Sequence, residues 1–272
     1  MQRPNRTARL ALVGLGALCG ASPLLFARGP QGASATLGSA LPSAAAVAEQ
    51  WETLSAEWVP ALAEWTERYD NAGSVAARRE LRDRHPAIEY WARFEALSRE
   101  DGRAAIWLIE FAGRSGLRGS AAREAKAEAF ARAFGLEGAV DSAWMADLLG
   151  LLAMERRAVG DEAFEGYFER VASDSKVANN RVVALFIHGD WLSRSSDQAA
   201  RERGAELLRR AIDVEGAEES ALAPVRDRLY ELENLVIGAV APDFAGETAT
   251  GESFRLSDQR GKVVVLDFFG FW

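Results

Sequence analysis

Apolar positions between Ser43 and Leu235 recur mostly at steps of three and four, the spacing that places them on one face of an α-helix. The first segment is the clearest. Val47, Trp51, Leu54, Trp58, Leu62, Trp65 and Tyr69 form a stripe, Glu49, Glu52, Glu57, Glu64 and Glu67 lie mostly off it, and Asn71-Ala72-Gly73 is the expected stop. The same texture predicts helices over 87–97 (Ile88, Trp91 and Phe94 on the core face), 104–111 (Trp107, Leu108), 121–134, 142–159, 162–171, 177–192, 198–212 and 222–235. Short, often Gly-containing breaks between these segments imply antiparallel helical hairpins stacked side by side.

The stretch 182–214 resembles a tetratricopeptide-type hairpin. Val183-Ala184-Leu185 and Gly189 lie on its first helix, and Ala199, Ala205, Leu207, Leu208 and Ala211-Ile212 on its second. No constant 34-residue period extends over the remainder, so the region reads as repeat-like. Two uses follow. Such an array can hold a protein partner, or a second copy of the chain, in a groove; or it is a packed spacer whose tryptophans form the core. Glu/Arg pairs along the helices read as solvated faces. His188 shares a face with Leu185 and Leu192, as an interior hydrogen-bonded histidine would. His85, ahead of Pro86, reads as a surface residue at a turn. No carboxylate pair stands out as an acid/base couple.

The first 35 residues break this pattern. Arg3, Arg6 and Arg9 precede the apolar or small run 10–27, the layout of an export signal, with Ala33-Ser34-Ala35 offering a cleavage site after Ala35. An uncleaved membrane anchor is the competing form, weakened by Gly14, Gly16, Gly20 and Pro23. Cys19 follows Leu18, where a lipoprotein site needs a small residue, and so reads as part of the apolar core of the signal. The expected location is extracytoplasmic, periplasmic or secreted.

Charge and composition narrow the chemistry. The 272 residues carry 32 Lys and Arg against 40 Asp and Glu, net −8, which argues against a nucleic-acid partner. Loss of 1–35 would remove four arginines and no acid. One cysteine and two histidines exclude an internal disulfide, a thiolate zinc site and most histidine-based metal or triad chemistry, and no cofactor is expected.

After Leu235 the texture changes again. Ile237-Gly238 leads to Ala241-Pro242-Asp243-Phe244, a polar turn around Gly251, Leu256-Ser257-Asp258, Arg260-Gly261-Lys262, and the apolar run 263–269. That run, β-branched at its start and interrupted only by Asp267, predicts a strand buried on both faces. In order, these motifs resemble the opening of the extracytoplasmic thioredoxin-like domain of TlpA-like thiol–disulfide oxidoreductases and the related AhpC/TSA peroxiredoxins. The resemblance covers residues 238–272, ending Phe268-Phe269-Gly270-Phe271-Trp272, where Phe269, Gly270 and Phe271 depart mildly from the family pattern.

The expected fold class is therefore mainly α: 1–35 a signal or anchor, 43–235 an antiparallel helical-hairpin array, and 237–272 the first strands of an α/β thioredoxin-like domain. The resemblance implies a thiol–disulfide oxidoreductase acting on extracytoplasmic thiol and disulfide proteins. The Pro and Thr that precede a peroxidatic cysteine are absent, which favours reductase over peroxidase. It also implies that the chain stops at the residue before the first redox-active position. A UGA codon for selenocysteine read as termination, a nonsense change at a cysteine codon, or a sequence boundary would each produce that stop. No residue here is expected to make or break a bond: Pro242, Asp243, Phe244, Gly261, Lys262 and Trp272 would be structural or site-flanking. A non-enzymatic helical interaction module is the rival reading.

Overall fold

The computed structural model describes residues 43–267; residues 1–35, where the sequence predicts an export signal, and Trp272 lie outside them. The described chain is mainly helical, with one two-stranded antiparallel sheet near its carboxyl end. No described helix is long and apolar enough to cross a membrane.

Helix α1 (Ala44–Asp70) begins where the Ser43 hydroxyl accepts the Ala46 N–H, satisfying one of the unpaired donors of the first turn. Its stripe meets α3 (Ala87–Leu97) and α4 (Gly102–Phe111) through an aromatic cluster centred on Trp58. The Trp58 ring is edge-on to Trp107 at 4.9 Å and Phe111 at 4.8 Å, and Trp107 stacks on Phe94 at 3.9 Å. Burying rings of this size dominates the energetics of a helix pair. At the rim, the Arg93 guanidinium donates both arms to Glu57, joining α3 to α1.

Helix α2 (Val75–Asp83) buries nothing, which is why the apolar pattern did not reveal it. It starts from Ser74, whose hydroxyl accepts the Ala77 N–H, and its Leu81 carbonyl accepts the Trp65 indole N–H at 2.8 Å. His85 is a correction to the surface reading: it is 2% exposed. The turn before Pro86 is real, but the rings of Trp58 and Trp65 from α1 close over it. Ile88, expected on the core face, is instead 41% exposed, while Ala87 takes the buried position beside it.

The main core continues through α5 (Gly119–Gly135), α6 (Met145–Met154), α7 (Arg156–Val159) and α8 (Asp161–Asp174), around Phe130, Phe134, Leu148, Leu149, Leu152, Phe164 and Phe168. The single helix expected over 142–159 is thus two, α6 and α7. Its start is displaced because the Asp141 carboxylate accepts the Lys176 N–H at 2.6 Å and the Ser175 hydroxyl at 3.1 Å, while the Asn180 amide donates to the carbonyls of Val140 and Ser142. These bonds hold 139–142 as a short 3-10 turn and loop.

A second cluster joins α9 (Ala178–Ser193), α10 (Gln198–Ile212) and α11 (Glu219–Asn234), with Val182, Leu185, Leu192, Leu207, Leu208, Val225 and Leu229 inside. Helices α9 and α10 form the hairpin expected at 182–214. They approach closely because Gly189 faces Gly204: a Cβ on Gly204 would lie 2.7 Å from the Gly189 carbonyl oxygen and 2.6 Å from the Ser193 nitrogen.

Candidate functional site

Beyond α11 the chain forms a small unit whose bonds are internal. Strand β1 (Ala245–Glu247) pairs antiparallel with β2 (Ser253–Arg255), with Gly246 opposite Phe254. The turn between them closes by Thr248 N–H to Glu252 O at 2.8 Å and Glu252 N–H to Thr248 Oγ1 at 3.0 Å. Gly251 sits there at φ 83°, a conformation that glycine adopts without steric cost. The Phe254 ring lies against Gly246, where a Cβ would stand 2.9 Å from it, and meets Phe244 edge-on at 6.2 Å.

Asp243 is the centre of this unit. One carboxylate oxygen accepts the Ser257 N–H at 2.8 Å; the other accepts the Ser257 hydroxyl at 3.0 Å and Arg255 Nη1 at 3.1 Å. The backbone N–H of Ser257, with these side-chain donors, holds the Asp243 carboxyl below the ordinary carboxylate range. Asp258 accepts the Arg255 N–H at 2.8 Å, and the Leu256 N–H donates to the Phe244 carbonyl at 3.0 Å. Two sequence motifs, Ala241-Pro242-Asp243-Phe244 and Leu256-Ser257-Asp258, thus meet across the hairpin. Arg255 and Ser257, which the sequence did not single out as partners of Asp243, make the junction.

Pro242 is half-buried, and Phe244 is 41% exposed. Gly261, at φ 84°, turns the chain out of the 3-10 segment Leu256–Gln259, and Lys262 folds back so that its ammonium donates to Gln259 Oε1 at 3.2 Å. The apolar run that follows corrects an expectation. Residues 263–267 are not a strand and are not buried: Val263 is 95% exposed and Val265 85%. A strand needs a neighbour to take its N–H and C=O groups, and among the described residues the one sheet pairs β1 with β2 and leaves this run without a partner strand. Residues 268–272, including Trp272, lie outside the described residues.

The helical part carries two further titratable features. His188 is buried with its Nε2 3.7 Å from Glu165, and burial first, then the Arg203 charge, pushes its pKa down. Glu110 on α4 is held above the usual carboxylate range by desolvation and by Asp147 on α6. That pair of acids escaped the sequence reading because it spans two helices with no spacing rule between them. Among the described residues no group of three or more His, Cys, Asp or Glu side chains could hold a metal ion. No family model matches the chain, and neither a curated protein nor a solved structure matches it.

Proposed function

We propose that the chain is the amino-terminal portion of an exported thiol–disulfide oxidoreductase, with residues 237–272 opening its thioredoxin-like domain. The observation that carries this reading is the ordered set of motifs from Gly238 to the apolar run after Lys262. The Asp243 junction supports it, since it gives two of those motifs a joint structural purpose.

In the family pattern the first redox-active group follows the position that Trp272 matches. In such a domain a thiolate (or selenolate) sits where a strand gives way to a helix, whose N–H groups and dipole stabilise the anion and lower its pKa. It attacks a substrate disulfide, one sulfur leaves as a thiolate, and a second thiol resolves the mixed disulfide. The 272 residues hold one cysteine, Cys19, inside the export-signal stretch, so neither redox group is among them. Asp243, Phe244, Gly261 and Lys262 shape the entry to the domain and touch no reacting atom. The substrates would be disulfide-bearing proteins outside the cytoplasm, and the helical array would hold a protein partner.

The test is reduction of insulin disulfides by dithiothreitol, with and without the protein. The 272-residue chain leaves the rate unchanged. A version extended through the codons that follow Trp272 in the gene accelerates it, and replacing the first Cys or selenocysteine after Trp272 by Ser abolishes the gain. Downstream sequence without such a residue, or an extended protein with no activity, defeats the oxidoreductase reading and leaves the helical interaction module.

A further inference from the structure

Residues 235–242 join α11 to the hairpin unit, and their chemistry is unusual for a linker. Segments between separately bonded units are as a rule polar. Here Leu235, Val236, Ile237 and Val240 are all exposed, Val240 at 87%. The backbone is as open as the side chains. Over 236–242 one backbone hydrogen bond is present, from the Ala239 N–H to the Val236 carbonyl. Gly238 stands at φ 92°, with no atom within 4 Å of where a Cβ would be.

An endoprotease needs both conditions. It takes its substrate as an extended strand, pairing with the substrate's own N–H and C=O groups, and seats one side chain in a specificity pocket. On the helices only the second condition is met. Ala63 on α1 and Val75 on α2 are exposed, but they lie within helices that bond their own backbone. The run 263–266 meets both, yet a cut there leaves the helical array and the hairpin unit joined. The sequence also selects the class of enzyme. No Lys or Arg lies between Arg228 and Arg255, so a pocket built for basic side chains finds nothing in the linker, whereas one for small apolar side chains finds Val236, Ile237, Ala239, Val240 and Ala241.

We propose that residues 236–241 are a processing site for an endoprotease with a small apolar specificity pocket, which detaches the helical array from the hairpin unit. The cut hydrolyses one peptide bond and consumes one water: the array gains a new carboxylate end and the unit a new ammonium end. The two pieces then part, because no hydrogen bond or ion pair among the described residues ties 240–262 to the helices. The array stays folded, since both of its apolar clusters are built from residues that precede the linker. The inference does not depend on the redox reading.

The test is limited digestion of the full chain by pancreatic elastase at neutral pH, followed by intact mass, size exclusion and circular dichroism at 222 nm. The first products lacking the unit end between Val236 and Ala241. They form at least about tenfold faster than any product of a cut within 44–234, where a helix must open before it is cleaved. The released array keeps its ellipticity and elutes apart from the unit. In a variant carrying Val236→Asp, Ile237→Asp and Val240→Asp together, the linker cut slows at least tenfold while cuts at 263–266 continue. The proposal is overturned if cuts within the helices come first, or if the linker survives after 263–266 has been cut to completion. A natural rate of linker cleavage in the triple variant overturns it, and so does an array that loses its ellipticity or stays bound to the unit.

Discussion

His85 shows how one residue can couple a local bond to the acid response of a whole region. Its Nδ1 accepts the Ala87 N–H at 3.1 Å and so serves as a helix cap for α3, which leaves the ring proton on Nε2, without a hydrogen-bond partner, against Trp65 at 4.4 Å. Burial, helped by Arg114, pushes its pKa down to about 4. A histidine with a depressed folded pKa leaves the unfolded chain binding more protons between pH 6.5 and 4, so stability falls as the pH drops through that window. The loss approaches about 3 kcal/mol when fully developed. In His85→Asn, where the shorter amide can still cap the helix, urea unfolding should lose that part of its pH dependence; an unchanged slope between pH 6.5 and 4 refutes the assignment. A His-Pro pair reveals a turn in sequence. Its burial is decided by rings some twenty to thirty residues earlier on α1, which no local pattern records.

Among the elements, the α9–α10 hairpin was legible as a pair, because its small residues recur at helix spacing on both sides of a short turn. Gly189 was visible as part of the motif, whereas Gly204 was not, although it makes the tighter approach. Gly204→Ala should cost about 1–3 kcal/mol by forcing the helices apart. Gly150→Ala on α6, with no atom within 4 Å of the added methyl, should instead be neutral or gain up to about 1 kcal/mol. Thermal or urea unfolding of the two variants distinguishes them, and equal effects would show that the close contact is not limiting. The run 263–267 illustrates the opposite case. Its β-branched residues express a preference that stays unrealised without a neighbouring strand, since sheet formation is a property of pairs.

At the scale of the molecule, the helical part and the hairpin unit are held by separate sets of bonds. Among the described residues no hydrogen bond or ion pair joins 240–262 to the helices, and Asp243 bonds only within its own unit. Asp243→Ala should therefore shift the helical melting midpoint, followed by circular dichroism at 222 nm, by less than about 1 °C. Exchange protection over 253–259 should drop in the same variant. A melting shift of several degrees would show that the units unfold together. The division between helical region and hairpin was readable from the chain alone, because apolar periodicity and turn residues are local quantities, and so was the helical identity of most of 43–235. Tertiary structure alone decided how deep His85 and His188 lie, where 142–159 breaks, and which partners Asp243 takes. Each of those depends on atoms brought together from distant positions, and the free energy of burying or pairing a group is set by what surrounds it in space rather than by what precedes it in the chain.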